Sequence, residues 1–255
     1  IIKKKLYWFF IEKKNLINSK SLLLTSKNEK KLLSKTFVNT DGIKKTVVEY
    51  GIKKPIIDKK KLNKKFLNKF KFLKKKKFFL FLGRFHKKKG CEILLHSMEK
   101  ILKNNKNIYL LMAGPSSEYK NDLIELSKKL KIDKNIVWSN FLENDLKWAS
   151  INKCVAMVLS SHGENFGISI IESLSMSKPV LITNKVNTAS YIKKTYSGLV
   201  SNNTIYSYHK ILNNFLKLKH AAKKRMGKNA LKCFNKHFNL VNSNNKMIKL
   251  LKKDT

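Results

Sequence analysis

Arginine is almost absent from this 255-residue chain. Only Arg84 and Arg225 occur, although Lys and Arg together number 56. Acidic residues are also scarce: 16 Asp and Glu leave a net charge of +40. Glycine occurs nine times, about half its usual frequency, and proline three times. Three cysteines (Cys91, Cys154, Cys233) lie far apart with no Cys-x-x-Cys pair. That argues against a disulfide framework or a cysteine zinc site, and it favours a reducing compartment. No apolar run approaches the ~18–20 residues of a transmembrane helix. The short run over 6–11, LYWFFI, is followed by charged residues rather than a cleavage site. No G-x-G-x-x-G fingerprint, P-loop or Asp-x-Asp is present, and the histidines are scattered. These absences argue against a dinucleotide oxidoreductase, a P-loop NTPase and a dedicated metal site.

Hydrophobic residues make up 42% of the chain and aromatics 10%, enough for a packed core. The lysine excess fits an AT-rich coding background better than a selected polyanion-binding surface, which a field this strong would also serve. The distribution points the same way. A nucleic-acid-binding protein concentrates its basic residues on one face, whereas these lysines are spread along the chain. No nucleic-acid partner is therefore expected.

From residue 78 onward, short apolar runs alternate with helical spacing. Strands are expected over 78–83, 108–114, 135–139, 154–160 and 179–183. Helices are expected over 90–103, 118–130, 144–152 and 166–176. The strands read as near-continuous apolar runs, which places helices on both faces of a parallel sheet. Two further helices follow, over 205–217 and 221–236, and a polar tail helix ends near residue 252. Ahead of this series a helix is expected over 3–16, a short strand over 21–25 and a second helix opened by SKNE. Ser26 and Glu29 there have capping-box spacing. A strand near 47–49 comes next. The lysine-dense stretch 58–77 reads as a linker. The fold class is thus α/β: a Rossmann-like parallel sheet with helices on both faces, plus a partial amino-terminal α/β segment. The expected divisions are 1–75, 76–236 and 237–255.

One stretch breaks the basic background. Residues 154–177, CVAMVLSSHGENFGISIIESLSMS, contain no Lys or Arg, and their only charges are Glu164 and Glu172. Glu164 sits in a loop at the carboxyl end of a strand, just before a helix. Ligands bind at such edges of open α/β sheets, and helix N-termini suit phosphates. Glu172 is the sole charge of an otherwise apolar helix, so it needs a partner or a hydroxyl-rich ligand. A helix cap with a structural ion pair is the other reading of the two carboxylates. His162 adjoins this loop and could touch a ligand, although a lone histidine is more often structural. In FLGRFHKKKG, over 81–90, Gly83 ends the first strand of the series. Arg84 opens the loop, and Lys89 with Gly90 precedes the next helix. Arginine offers a planar fork for phosphate oxygens and lysine a point charge. Lys87 and Lys88 read as solvated. Gly83, Gly90, Gly114, Gly163 and Gly167 all fall on this one expected edge.

The Glu-x7-Glu pair together with Gly-Arg-x4-Lys-Gly resembles the retaining nucleotide-sugar glycosyltransferases of family 4, the group 1 glycosyl transferases with a two-domain GT-B fold. LLLTSKNE, VVEYGI, LLMAGPSSEYKNDL and VWSNFLENDLKWASIN extend the likeness over about residues 6–238. The resemblance implies that Arg84 and Lys89 bind the donor diphosphate and stabilise the leaving nucleotide without a metal or other cofactor. It implies that Glu164 contacts the sugar hydroxyls, that Asn165, Phe166 and Gly167 line the sugar and phosphate site, and that Glu172 holds the ribose. Gly114 would permit close approach of the nucleotide, and the base would lie near Phe141 and Leu142. Asn140 stands where the family often has glycine. The implied partners are a UDP- or GDP-sugar donor and a glycan or lipid-linked acceptor. The location implied is cytoplasmic, with peripheral contact to an anionic membrane open. The front of the acceptor domain has no counterpart in this sequence, which begins with Ile. A fragment or a non-catalytic remnant that binds nucleotide-sugar or a protein is therefore the alternative to an active enzyme.

Overall fold

The computed structural model describes residues 2–33 and 42–252. The first helix runs as α1 (Ile2–Tyr7), a π-helical stretch (Trp8–Glu12) and α2 (Lys13–Ile17). Then come β1 (Leu22–Leu24), α3 (Lys27–Leu33) and β2 (Lys45–Val47). β1 and β2 pair in parallel, with Leu22 opposite Lys45 and Leu24 opposite Val47. Ser26 caps α3 by accepting the Glu29 N–H at 3.0 Å. The Glu29 carboxylate reaches back one residue further than a capping box requires. It accepts from the N–H and hydroxyl of Thr25 at 2.6 and 2.7 Å.

The stretch 58–77 is not a linker. It forms α4 (Lys59–Lys69), opened by Asp58, whose carboxylate accepts the N–H groups of Lys60 and Lys61. Leu62, Phe66, Phe70 and Leu73 are buried in the core. Their spacing is helical, but the lysines crowding the outer face mask it in the sequence. The helix packs on α7 (Asn144–Lys153), and the Phe66 ring stacks on Phe78 at 5.5 Å.

The remaining chain winds β3 (Lys77–Leu82), α5 (Cys91–Leu102), β4 (Ile108–Ala113), α6 (Glu118–Lys129) and β5 (Ile136–Ser139). After α7 it continues with β6 (Ala156–Leu159), α8 (Ile168–Ser175), β7 (Val180–Thr183), α9 (Ala189–Thr195) and β8 (Gly198–Ser201). It ends with α10 (Ile205–Lys217), α11 (His220–His237) and α12 (Leu240–Leu251). All six strands from β3 onward are parallel, in the order β5-β4-β3-β6-β7-β8. This is the expected sheet, extended by one edge strand. The added strand is hard to see in the sequence because α9 is short and lysine-bearing and β8 has only two strongly apolar residues. The chain runs outward from β3 in one direction and from β6 in the other, so a crevice opens between the carboxyl ends of these two strands.

The central strands are buried on both faces. The three cysteines are free and buried, and burial pushes the Cys91 thiol up to about 12 and Cys154 to about 11. Among the described residues no helix is long and apolar enough to cross a membrane. The tail returns to the amino-terminal segment. Ile52 exchanges backbone hydrogen bonds with Phe238 and Leu240 at 3.0 and 3.1 Å. The buried Glu49 carboxylate accepts from Lys246 of α12 and from the Tyr191 hydroxyl of α9, both at 2.7 Å. Burial alone would raise the Glu49 pKa, but these two hydrogen bonds, a backbone hydrogen bond and the Lys246 charge together outweigh it and hold the pKa below the ordinary 4.5.

Two outcomes follow. Phe66→Ala should cost about 3–5 kcal/mol in urea denaturation, the range for emptying a core phenylalanine site; a loss within about 0.5 kcal/mol, as on a solvated surface, would return the stretch to a linker. A carboxyl with a depressed folded pKa stabilises above its unfolded value and loses that contribution as pH falls through the folded one. Stability should therefore fall below pH 4.5 less steeply in Glu49→Gln than in the parent. Identical acid-side slopes would contradict this.

Candidate active site

Two loops meet above the crevice. The first leaves β3 through Gly83, Arg84 and the buried Phe85, whose ring packs on Phe81 and Trp138. A turn over Lys87–Lys89 follows, capped by His86. Gly90 then starts α5 at φ +63, and a Cβ there would lie 2.1 Å from the Ser160 carbonyl oxygen. Only glycine meets both demands. The second loop leaves β6, and it is stitched to the first. The Ser160 hydroxyl donates to the Gly90 carbonyl at 2.7 Å, and the His162 N–H donates to the Lys88 carbonyl at 2.8 Å.

This stitching sets Lys89 against Glu164. Their side chains form a direct ion pair and are only 22% and 17% exposed. Lys87 and Lys88 are exposed, as expected of solvated lysines. Glu164 is also tied to the loop after β7. Its N–H donates to Lys185 and its carbonyl accepts from the Asn187 N–H, at 3.1 and 2.9 Å. Phe166 is buried, edge-on to Tyr50 from the amino-terminal segment and to Phe238 from the tail. Gly167 turns the chain into α8 at φ +75, and no side chain caps that helix. Ile170 and Ile171 donate to the Gly167 carbonyl at 2.9 and 3.3 Å, so the N–H groups of Ile168 and Ser169 are those left without an acceptor in the helix. One turn further on, Glu172 is buried and pairs with Lys147 of α7 at 2.5 Å.

A cleft of about 480 Å³ brings these groups together. Arg84, Lys89, Glu164 and Glu172 line it, with Gly83, Asn165, Phe166 and Gly167. Phe141 and Leu142 form an apolar end. Five lining residues were not among the expected site residues: Leu82, Ala113, Lys147, Ile168 and Ser169. Lys147 was hidden because any lysine in this chain looks like background; the unpaired look of Glu172 was the signal that a cation must face it. Two expected residues stand outside the lining. A Cβ on Gly114 would lie 2.1 Å from the Gly83 carbonyl oxygen, so this glycine serves the approach of two loops. His162 is exposed, with Nδ1 2.7 Å from the Asn203 amide nitrogen. Three cations against two carboxylates suit an anionic ligand that also carries hydroxyls. Among the described residues no group of three or more His, Cys, Asp or Glu is placed to hold a metal ion.

A doubly wound parallel sheet with a charged cleft at its switch point is the architecture of GT-B glycosyltransferases, and solved structures bear out the likeness. The chain superimposes on a glycosyltransferase from Rickettsia africae with a TM-score of 0.82 at 21% identity, covering 98% of this chain and 66% of that one. On Anabaena Alr3699/HepE, solved with UDP and glucose, the TM-score is 0.80 at 14% identity, covering 92% and 64%. Identities this low speak for the fold alone. Residues 63–232 match the family described as glycosyl transferases group 1, and the chain belongs to that family. A curated relative, the uncharacterised glycosyltransferase MJ1607 of Methanocaldococcus jannaschii, is 29% identical over 123 residues, or 48% of this chain and 31% of the relative. The chain thus matches about a third of that relative's length.

The stitching of the two loops is testable apart from any ligand. Gly90→Ala should cost more than about 2 kcal/mol of stability, because the added carbon meets backbone and the φ is left-handed. Gly163→Ala, which meets nothing within 4 Å, should stay within about 1 kcal/mol. Equal effects in thermal or urea denaturation would refute the account of this junction.

Proposed function

We propose that the cleft binds a nucleoside-diphosphate sugar, UDP- or GDP-linked, and that this chain carries the donor side of a glycosyltransferase. The sugar passes with retention to a hydroxyl of a glycan or lipid-linked acceptor. The observation that carries this reading is the convergence of Arg84, Lys89, Glu164 and Glu172 on one cleft at the switch point of the sheet. The HepE structure with UDP and glucose shows a protein of the same fold holding such ligands.

In this reading Arg84 and Lys89 grip the diphosphate. The N–H groups at the start of α8 add a partial positive charge beside it. When the bond between the sugar C1 and the phosphate oxygen breaks, the nucleoside diphosphate leaves with the electron pair. The two cations stabilise the charge that develops there. The acceptor hydroxyl oxygen bonds to C1 on the face the phosphate left and passes its proton to the departing phosphate oxygen. Glu164 accepts hydrogen bonds from the sugar hydroxyls, and Glu172 from the ribose. Each carboxylate then exchanges its lysine for hydroxyl donors, which frees Lys89 for phosphate. The base rests against Phe141 and Leu142. The charge is met by side chains and backbone, so the reaction proceeds without a metal.

Peripheral contact with an anionic membrane belongs to the same proposal. The helix from α1 to α2 exposes Leu6, Phe9 and Phe10 beside Lys3, Lys4 and Lys5, a composition suited to a lipid interface. Absence of co-sedimentation with anionic vesicles would remove this part alone.

Calorimetric titration with UDP and GDP tests the site. Arg84→Ala and Glu172→Ala should each weaken binding by about 2–5 kcal/mol, the cost of truncating one partner of a buried charged contact. Binding unchanged in both variants would overturn the assignment. Adding EDTA should leave nucleotide affinity unchanged; a loss on chelation would show that a metal takes part.

A further inference from the structure

The loop that carries Glu164 is held by a ring of side chains that joins three distant parts of the chain. Asn165 donates through Nδ2 to Glu29 Oε1 at 3.2 Å. Its Oδ1 accepts from Asn187 Nδ2 at 2.8 Å. Asn187 Oδ1 in turn accepts from Asn28 Nδ2 at 2.6 Å. Asn28 and Glu29 are neighbours in α3, which closes the ring. Asn187 is only 8% exposed, and its N–H also holds the Glu164 carbonyl at 2.9 Å.

The chemistry of the ring fixes its direction. An ionised carboxylate only accepts, so Asn165 must turn its NH2 toward Glu29. Its carbonyl then faces Asn187, which must donate there and accept from Asn28. Glu29 is itself held by the N–H and hydroxyl of Thr25. The polarity therefore runs from the cap of α3 to the loop between β6 and α8. Both ends of the Asn165 amide are engaged in this ring, which changes what the residue does. Its amide lines the cleft but is committed to neighbours, so it orders the loop instead of reading a ligand.

We propose that Asn187 is a positioning residue for the nucleotide cleft. It locks Asn165, and with it Glu164 and the entry to α8, in a geometry that exists only while α3 is docked. The amino-terminal segment thereby sets the affinity of the cleft for nucleotide without touching it. The nucleotide part rests on the reading given under Proposed function; the ordering of the loop does not.

Two measurements on the full chain decide the matter: amide hydrogen exchange over residues 164–168, and calorimetric affinity for UDP and GDP. Asn187→Asp keeps shape but can only accept. Asn165 must then flip, and its carbonyl meets Glu29. Exchange at 164–168 should rise about tenfold and nucleotide affinity should fall about tenfold, the equivalent of roughly one hydrogen bond. Pairing it with Glu29→Gln supplies a donor to the flipped carbonyl while still capping Thr25. E29Q/N187D should return both readouts to within about threefold of the parent, a threefold change being under 1 kcal/mol. A merely structural role for Asn187 offers no route to such a rescue. Asn187→Ala should resemble Asn187→Asp and resist rescue by Glu29→Gln. Unchanged exchange in both single variants, or a double variant no better than Asn187→Asp, overturns the proposal. If the parent binds neither nucleotide, the functional reading fails by that result, and exchange still decides whether the ring orders the loop.

Discussion

Two carboxylates cannot be sunk in a half-buried cleft without cations beside them. Desolvating a lone ionised carboxylate costs several kcal/mol, and the group would otherwise neutralise. Glu164 and Glu172 are 17% and 12% exposed at the side chain, and each meets a lysine. Much of the local architecture follows from that requirement. The loop after β3 must reach the loop after β6 for Lys89 to meet Glu164, and α7 must bring Lys147 within reach of Glu172 on α8. The bonds from Ser160 to Gly90 and from His162 to Lys88 hold the first meeting in place. The same pairs give the cleft its chemistry. A ligand that offers hydroxyls to the carboxylates and negative charge to the lysines satisfies all four groups at once.

The amino-terminal segment belongs to this cleft more closely than its small size suggests. Tyr50 covers Phe166, Glu49 joins α9 to α12, and the pair Asn28 and Glu29 orients the loop next to Glu164. In a two-domain glycosyltransferase the acceptor side meets the donor side across such a seam. Contacts here convert the docking of one part into order in the other, through hydrogen bonds whose direction is set by a single carboxylate.

Much of this was legible in the sequence for definite reasons. The strands of the sheet were readable because buried parallel strands are near-continuous apolar runs, a pattern lysine cannot imitate. Arg84, Glu164 and Glu172 stood out because each is rare in its surroundings, and Lys89 by its place just before Gly90, five residues after Arg84. Features built from lysine or asparagine did not stand out. The helix over Lys59–Lys69 was hidden by its own solvated face, and Lys147 by the background. Asn187 and Asn28 act through partners 22 and 159 residues away, a separation that no local pattern encodes. Gly114 and His162 were placed on the right edge of the sheet, yet one serves a close approach of backbone and the other faces solvent.

The central claim is that the ion pairs of the cleft are a resting arrangement that a nucleotide-sugar donor replaces. A crystal structure of this chain grown with UDP tests it most directly. The account predicts the diphosphate between Arg84 and Lys89, the ribose on Glu172, and the Lys147–Glu172 pair opened to admit it. UDP bound elsewhere, or bound in the cleft with its ribose away from Glu172, would contradict the account.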